Sequence, residues 1–143
     1  MTSTSISMLK GTELSLKIKT YDIDIAGHVN NIVYVKWFED LRTKLFDENF
    51  NMKDLLLKHL YPVVVSTKIK YKKYLTLFDE PVGFMGIDYY NHGVLTLRGE
   101  IKAKGKVVVL GEQKCVLLNL CKSKIVNGTE IDKLLYGKEK DFE

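Results

Sequence analysis

A dense group of polar residues lies directly before the longest apolar stretch of the chain. Its members are two acids, a glycine, a histidine and two asparagines: Asp22, Asp24, Gly27, His28, Asn30 and Asn31. Polar groups packed beside apolar side chains cost free energy unless they have hydrogen-bond partners or a catalytic task. This segment is therefore the first candidate for a functional site.

The residue types in this segment suit acyl transfer. The start of a helix presents unpaired backbone N–H groups at the positive end of its dipole. Such groups can polarise a carbonyl and hold a developing oxyanion. A nearby carboxylate such as Asp24 can attack that carbonyl or activate a water molecule. The alternative is structural, with Asp24 only accepting backbone hydrogen bonds before the helix.

The elements around this segment must position it. Residues 12–20 alternate apolar and polar side chains, which predicts a half-buried strand. Residues 32–46 have the strongest helical pattern, and their polar positions form one narrow stripe: Lys36, Glu39, Asp40, Thr43 and Lys44. A helix with so much apolar circumference is expected to be enclosed by other elements. A short second helix is predicted at 51–59.

The second half of the chain predicts strands at 63–74, 81–90, 94–103 and 107–120, with turns at 91–93 and 104–106. We expect these four strands to form an antiparallel meander. One helix against such a sheet is an α+β architecture. The whole chain, 1–143, is predicted to be one domain with a core at about 12–120 and a C-terminal tail at 121–143.

Composition excludes several classes of protein. The 143 residues carry a net charge of +4 that is spread along the chain. The densest basic cluster, 68–73, lies in a predicted strand, so no nucleic-acid partner is expected. Two cysteines outside any metal-binding motif indicate a reducing compartment. With no signal peptide pattern and no apolar run long enough to span a membrane, the expected location is the cytoplasm.

The chain resembles the hotdog-fold thioesterases, which include the 4-hydroxybenzoyl-CoA thioesterase group, broad acyl-CoA thioesterases and plant acyl-carrier-protein thioesterases. The resemblance rests on the segment Asp22-Ile-Asp24-Ile-Ala-Gly27-His28-Val-Asn30-Asn31, followed by Tyr34, Trp37, Phe38, Glu39 and Arg42. It continues through residues 61–74, Phe78-Asp79 and Pro81-Val82, and covers residues 12–120. It implies a hotdog fold, in which a curved antiparallel sheet of about five strands wraps around one long central helix.

The resemblance also implies roles for individual residues. Asp24 matches the catalytic acid, which acts as nucleophile or general base. Asn31 occupies the position whose backbone N–H binds the thioester carbonyl oxygen, and His28 matches a histidine of one subgroup and of the plant enzymes. The plant enzymes carry an Asn where this chain has Ala26 and an acidic or Cys residue where it has Tyr74. Their full catalytic set is therefore absent.

The remaining predicted site residues are substrate-binding: Gly27, Asn30, Tyr34, Ser66 and Thr67. Several have structural alternatives. His28 either orients the loop or assists proton transfer. Asn30 and Asn31 are natural helix caps, and Tyr34 is either a core residue or part of an acyl pocket. Strand alternation allows only one of Ser66 and Thr67 to face the site.

The expected function is hydrolysis of an acyl thioester of coenzyme A or acyl carrier protein. No cofactor and no metal are expected, since CoA or phosphopantetheine enters as part of the substrate and Asp22 with Asp24 has no further ligand nearby in sequence. A homodimer or homotetramer is implied by the resemblance. The alternatives are a non-catalytic binding module, a ligand-free structural dimer, and a hydratase or dehydratase, whose family pattern needs an Asn-Pro that this chain lacks.

Overall fold

The computed structural model describes residues 11–128, 130, 131, 133 and 134. Residues 128, 130, 131, 133 and 134 among these are helical, and the elements with defined bounds are six strands and two helices. In chain order they are β1 (Thr12–Ser15), α1 (Asn31–Asn49), α2 (Met52–Leu57), β2 (Leu60–Tyr71), β3 (Val82–Asn91), β4 (Val94–Ala103), β5 (Lys106–Asn119) and β6 (Lys124–Ile125), with a 3₁₀ turn at Thr20–Asp22.

The sheet is antiparallel throughout, with the strand order β1-β3-β4-β5-β2, and β6 pairs with the end of β5. The predicted four-strand meander is wrong for β2. Only β3, β4 and β5 follow one another as hairpins, whereas β2 pairs with β5, from Leu60 opposite Asn119 to Tyr71 opposite Val109. The residues between β2 and β3 form a long connection. It carries the chain from the edge of the sheet at β2, past β5 and β4, to the position of β3 near the opposite edge.

Helix α1 forms the centre of the core. Its buried side chains follow helical spacing: Val33, Tyr34, Trp37, Phe38, Leu41, Leu45 and Phe46. The ring of Phe38 lies against Gly99 of β4 and Gly111 of β5, which are partners in the sheet register. A side chain at either glycine would occupy the space of the ring, so the two glycines let the helix approach the sheet closely.

The enclosure of α1 is incomplete. Ile32 and Val35 remain exposed on one flank of the helix, although both belong to its predicted apolar surface. In α2 only Leu55 is buried, while Leu56 and Leu57 are exposed. The regular strand β1 ends at Ser15, earlier than predicted, yet Leu16 and Ile18 are still buried.

The architecture is therefore the α+β hotdog fold that the sequence predicted: an antiparallel sheet with one long helix packed across it. The described part of the C-terminal segment adds Val126 and Ile131 to the same core, and the rest of the predicted tail lies outside the described residues. No described helix has the length and hydropathy needed to cross a membrane. The fold places the segment 22–30 at the amino-terminal end of the central helix.

Candidate active site

The segment between the 3₁₀ turn and α1 is a tight loop closed on itself. Ile23 and Val29 form an isolated antiparallel bridge. The backbone N–H of Asp24 donates to the carbonyl of His28 at 2.8 Å, and that of Gly27 donates to the carbonyl of Asp24 at 3.0 Å. Gly27 has a φ of +82° with open space around it, so the backbone conformation alone favours glycine there.

This loop orients the carboxylate of Asp24. Its Oδ1 accepts hydrogen bonds from the backbone N–H groups of Ala26 at 2.9 Å and His28 at 3.1 Å. No group of the described residues donates a hydrogen bond to Oδ2. The neighbouring Asp22 serves the loop itself, since its Oδ2 accepts from the N–H of Lys19 at 2.9 Å. Asp24 therefore combines a fixed orientation with one free oxygen.

The start of α1 leaves one backbone donor free. Asn30 is the N-cap, and its Oδ1 accepts from the N–H of Ile32 at 3.1 Å while its carbonyl accepts from Val33. The N–H of Asn30 donates to the carbonyl of Asp22 at 2.8 Å. In the described part of the chain, the N–H of Asn31 donates to no acceptor. It is thus available to an oxygen atom of a ligand.

Asp24 and Asn31 line one cavity of about 240 Å³ together with His28 and Tyr34, all of which were predicted from the sequence. The rest of its lining was not predicted: Val29, Tyr71, Lys72, Lys73 and Tyr74. Four of these come from the end of β2 and the residues after it, about forty positions along the chain. Tyr71 fixes this wall to the helix start, because its hydroxyl donates to the carbonyl of Asn31 at 3.3 Å.

The imidazole of His28 stacks on the ring of Tyr74, with centroids 3.7 Å apart and planes inclined by 12°. Tyr74 itself is largely exposed. His28 therefore has two structural roles. Its backbone hydrogen bonds close the Asp24 loop, and its ring forms one side of the cavity. The sequence offered a signal for Tyr74, since it stands where the plant enzymes carry a catalytic side chain.

Tyr34 is one of the residues that line the cavity, and only 1% of its surface is exposed. Its ring contacts Trp37 and Tyr71 edge-on, at centroid distances of 5.4 and 5.5 Å. The hydroxyl oxygen is buried, and the backbone N–H of Leu75 lies close enough to lower the pKa of Tyr34, although its geometry falls short of a full hydrogen bond. Burial raises the pKa of Tyr34 to about 12, because the phenolate is poorly solvated there.

Ser66 and Thr67 are not brought to this cavity. Both lie in the middle of β2, beyond a bulge at Val64 and Ser66. Thr67 Oγ1 accepts from the amide of the buried Gln113 at 3.5 Å, and Gln113 Oε1 accepts from Arg42 at 2.9 Å. This polar chain joins α1 to the sheet. Arg42 also forms an ion pair with Glu39 at 3.5 Å.

A larger groove of about 790 Å³ lies on the sheet face opposite α1. Of its charged side chains, Arg98 pairs with Glu112 at 3.0 Å and Glu100 with Lys102 at 3.4 Å, whereas Glu13, Lys68 and Lys70 form no ion pair with the described residues. The groove lacks the combination of a free carboxylate oxygen and a free helix N–H. We therefore place the candidate site at the smaller cavity. The described residues contain no cluster of side chains suited to hold a metal ion.

Comparison with known proteins gives a family match and a set of similar solved structures. The sequence pattern of the thioesterase-like superfamily matches residues 18–131, which is more than half of the chain. No curated protein sequence matches it.

Similar solved structures share the fold at low sequence identity. A thioesterase from Thermus thermophilus, solved with coenzyme A and Zn, is 22% identical with a TM-score of 0.71 over 80% of this chain and 88% of that one. The DHNA-CoA thioesterase from Staphylococcus aureus is 17% identical with a TM-score of 0.74, covering 92% and 91%. A predicted thioesterase from Bacillus stearothermophilus is 23% identical with a TM-score of 0.75, covering 87% and 94%.

Proposed function

Since the chain belongs to the thioesterase-like superfamily, we propose that it hydrolyses acyl thioesters in the cavity lined by Asp24. The observation that carries this proposal is the pairing of two free groups in one cavity: Oδ2 of Asp24 and the backbone N–H of Asn31. One is an attacking or proton-accepting oxygen, and the other is a donor for the carbonyl oxygen. Together they are the minimum that thioester hydrolysis requires.

The proposed reaction uses both of these groups. The thioester carbonyl oxygen accepts a hydrogen bond from the N–H of Asn31, where the helix dipole favours the developing negative charge. Asp24 then acts by one of two routes. As a general base it takes a proton from water, whose oxygen adds to the carbonyl carbon. As a nucleophile it forms an acyl-aspartyl anhydride, which water then hydrolyses. Both routes release the carboxylic acid and the thiol.

The other predicted residues have supporting roles in this proposal. Gly27 gives the loop its turn, and Asn30 caps the helix so that only the N–H of Asn31 stays available. His28 forms a wall of the cavity with its stacked ring. Ser66 and Thr67 lie away from the cavity, and their substrate-binding role has no support from this geometry.

We further propose coenzyme A as the thiol carrier. Lys72 and Lys73 line the cavity and are exposed, and neither pairs with a carboxylate among the described residues. Two free ammonium groups beside the reaction site suit the phosphates of a CoA thioester. The Thermus structure, which contains coenzyme A, supports the same choice.

A homodimer completes the proposal. In the part of the chain that the structure describes, strand β2 lies at the edge of the sheet and one side of its backbone has no partner strand. Val63 and Val65 on this strand are exposed, as are Ile32 and Val35 on α1. A second copy placed along this edge would cover these side chains and stand beside the cavity wall that β2 contributes.

The function is tested by comparing Asp24→Asn with Asp24→Ala. The Asn variant keeps an Oδ1 acceptor for the N–H groups of Ala26 and His28, so the loop is preserved while the negative charge is lost. We expect both variants to release thiol from acyl-CoA at least about a hundredfold more slowly than the wild type. The matched control is Asp40→Asn, which removes an exposed carboxylate from the surface of α1.

The outcomes separate the alternatives. Full activity in Asp24→Asn would remove Asp24 from the mechanism. Tight binding of acyl-CoA without thiol release by the wild type would identify a binding module instead of an enzyme. Faster turnover of acyl carrier protein thioesters than of matched acyl-CoAs would change the carrier and leave the chemistry intact.

A further inference from the structure

Four lysines without ion-pair partners lie close together at the end of strand β2. Lys68 and Lys70 are on the strand, and Lys72 and Lys73 follow it directly. All four are exposed, and none pairs with a carboxylate in the part of the chain that the structure describes. Like charges this close repel one another. A bound anion would remove that repulsion, so the cluster is a candidate for a further binding site.

The four lysines line two depressions that meet at the end of β2. Lys72 and Lys73 line the cavity that contains Asp24. Lys68 and Lys70 line one flank of the outer groove of about 790 Å³, and strand alternation puts both on the same face of the sheet. Lys70 and Lys72 are two residues apart, which is about 7 Å along a strand. A long ligand that leaves the cavity past the end of β2 therefore reaches the groove directly.

The backbone holds the residues after β2 against the sheet. The N–H groups of Lys72 and Lys73 both donate to the carbonyl of Val108 on β5, at 2.8 and 3.1 Å. The chain therefore stays on the sheet for two residues after regular strand pairing ends. The lysines of the cavity and those of the groove are thus carried by one continuous, hydrogen-bonded stretch of backbone.

The outer groove combines positive charge with an apolar surface at this flank. In the sheet register Lys70 lies opposite Leu110, which is half-buried, and Lys68 lies opposite Glu112. The carboxylate of Glu112 pairs with Arg98 at 3.0 Å instead of with Lys68. A phosphate attached to a flat, weakly polar group, as in a phosphorylated nucleoside, matches this combination.

We propose that the outer groove holds the nucleotide end of the CoA substrate, with the 3′-phosphate between Lys68 and Lys70. This inference rests on the proposed function, in which Lys72 and Lys73 accompany the phosphates nearer to the thioester. The pantetheine arm separates the thioester from the nucleotide, so the substrate passes from the Asp24 cavity around the end of β2 into the groove. The enzyme therefore favours CoA thioesters over thioesters that lack the 3′-phosphate.

The test compares thioesters that differ only by the 3′-phosphate. Thiol release is measured for butyryl-, octanoyl- and benzoyl-CoA and for the 3′-dephospho form of each. We expect the wild type to lose about fivefold in kcat/KM without this phosphate, mainly through a higher KM, because two exposed contacts between lysine and phosphate are lost. In about 1 M salt, where screening shortens the range of electrostatic attraction to about 3 Å, the difference should largely disappear.

The double variant Lys68→Gln/Lys70→Gln identifies the residues responsible. Removal of both charges should bring the two kcat/KM values close to each other. The matched control is Lys122→Gln/Lys124→Gln, which removes two exposed lysines near the opposite end of β2 and should keep the preference of the wild type. A preference that persists in the first double variant, or that is lost equally in the control, overturns the inference.

The outcomes separate this inference from the proposed function. If the wild type releases thiol from the CoA and 3′-dephospho-CoA thioesters with equal kcat/KM, the inference fails while the hydrolase assignment stands. If no thiol is released from any of them, the hydrolase assignment fails, and calorimetric titration with CoA and 3′-dephospho-CoA decides the inference. Tighter binding of CoA that Lys68→Gln/Lys70→Gln removes would support it, whereas equal affinity for both compounds, or no binding of either, overturns it.

Discussion

The contact between Phe38 and the two sheet glycines gives a prediction whose size can be worked out from distances. A Cβ atom built on Gly111 lies 2.6 Å from Cζ of Phe38 and 2.9 Å from its Cε2, and one built on Gly99 lies 2.7 Å from Cε1. Carbon atoms at van der Waals contact are about 3.5–4.0 Å apart. Phe38 is fully buried, so its ring has no free space to enter.

Gly111→Ala should therefore destabilise the protein. Inserting a methyl group into a packed core costs about 1–3 kcal/mol. Replacing glycine by alanine within a strand returns about 0.5–1 kcal/mol. The midpoints of these ranges give an expected net loss of about 1 kcal/mol in the free energy of unfolding, measured by urea denaturation. The matched control is Gly86→Ala on β3, where the added Cβ would meet only Cα of Gly11 at 3.8 Å and stability should be unchanged or slightly higher.

A double-mutant cycle identifies the cause of the loss. Phe38→Leu alone should destabilise by leaving unfilled volume. Combined with Gly111→Ala, the new methyl group occupies part of that volume, so the double variant should be more stable than the sum of the single effects by at least about 1 kcal/mol. If the two effects on stability simply add, or if Gly111→Ala is as stable as the Gly86→Ala control, then Phe38 does not lie as close to Gly111 as the distances indicate.

The remaining predictions concern the two cysteines and the free sheet edge. Cys115 is buried, and burial raises its pKa to about 11, so under native conditions only Cys121 should react rapidly with Ellman's reagent. Both cysteines should react in denaturant. Two rapidly reacting thiols in the native protein would contradict the burial of Cys115. Sedimentation equilibrium should give at least twice the mass of the chain, and Val65→Asp on the edge strand should shift the population toward monomer; a wild type that sediments as a monomer would refute the dimer.

The sequence predicted the elements better than their arrangement. The 94–103 strand was predicted with the bounds it has, and the central helix within a few residues, because apolar periodicity directly reports which side of an element is buried. The same periodicity does not report which strand lies next to which. The pairing of β2 with β5 depends on the path of the connection between β2 and β3, and no local pattern determines that path.

The sequence likewise predicted one part of the candidate site and missed the other. Asp24, His28, Asn31 and Tyr34 share a cavity as predicted, because they are close in sequence around one helix start. The wall formed by residues 71–74 was missed, since its approach depends on where β2 ends relative to α1. Ser66 and Thr67 were predicted because the long strand could bring one of them to the site, but the bulge and register of that strand turn Thr67 toward Gln113.

Both hydrogen bonds to the carboxylate of Asp24 come from within five consecutive residues, whereas the opposite wall of its cavity comes from a different part of the chain. Substitutions at 71–74 can therefore alter which acyl groups are admitted while the carboxylate keeps its hydrogen bonds. A library of variants confined to that short stretch is an economical route to new substrate preferences. The same separation lets mutation explore specificity in evolution without disturbing the reacting group.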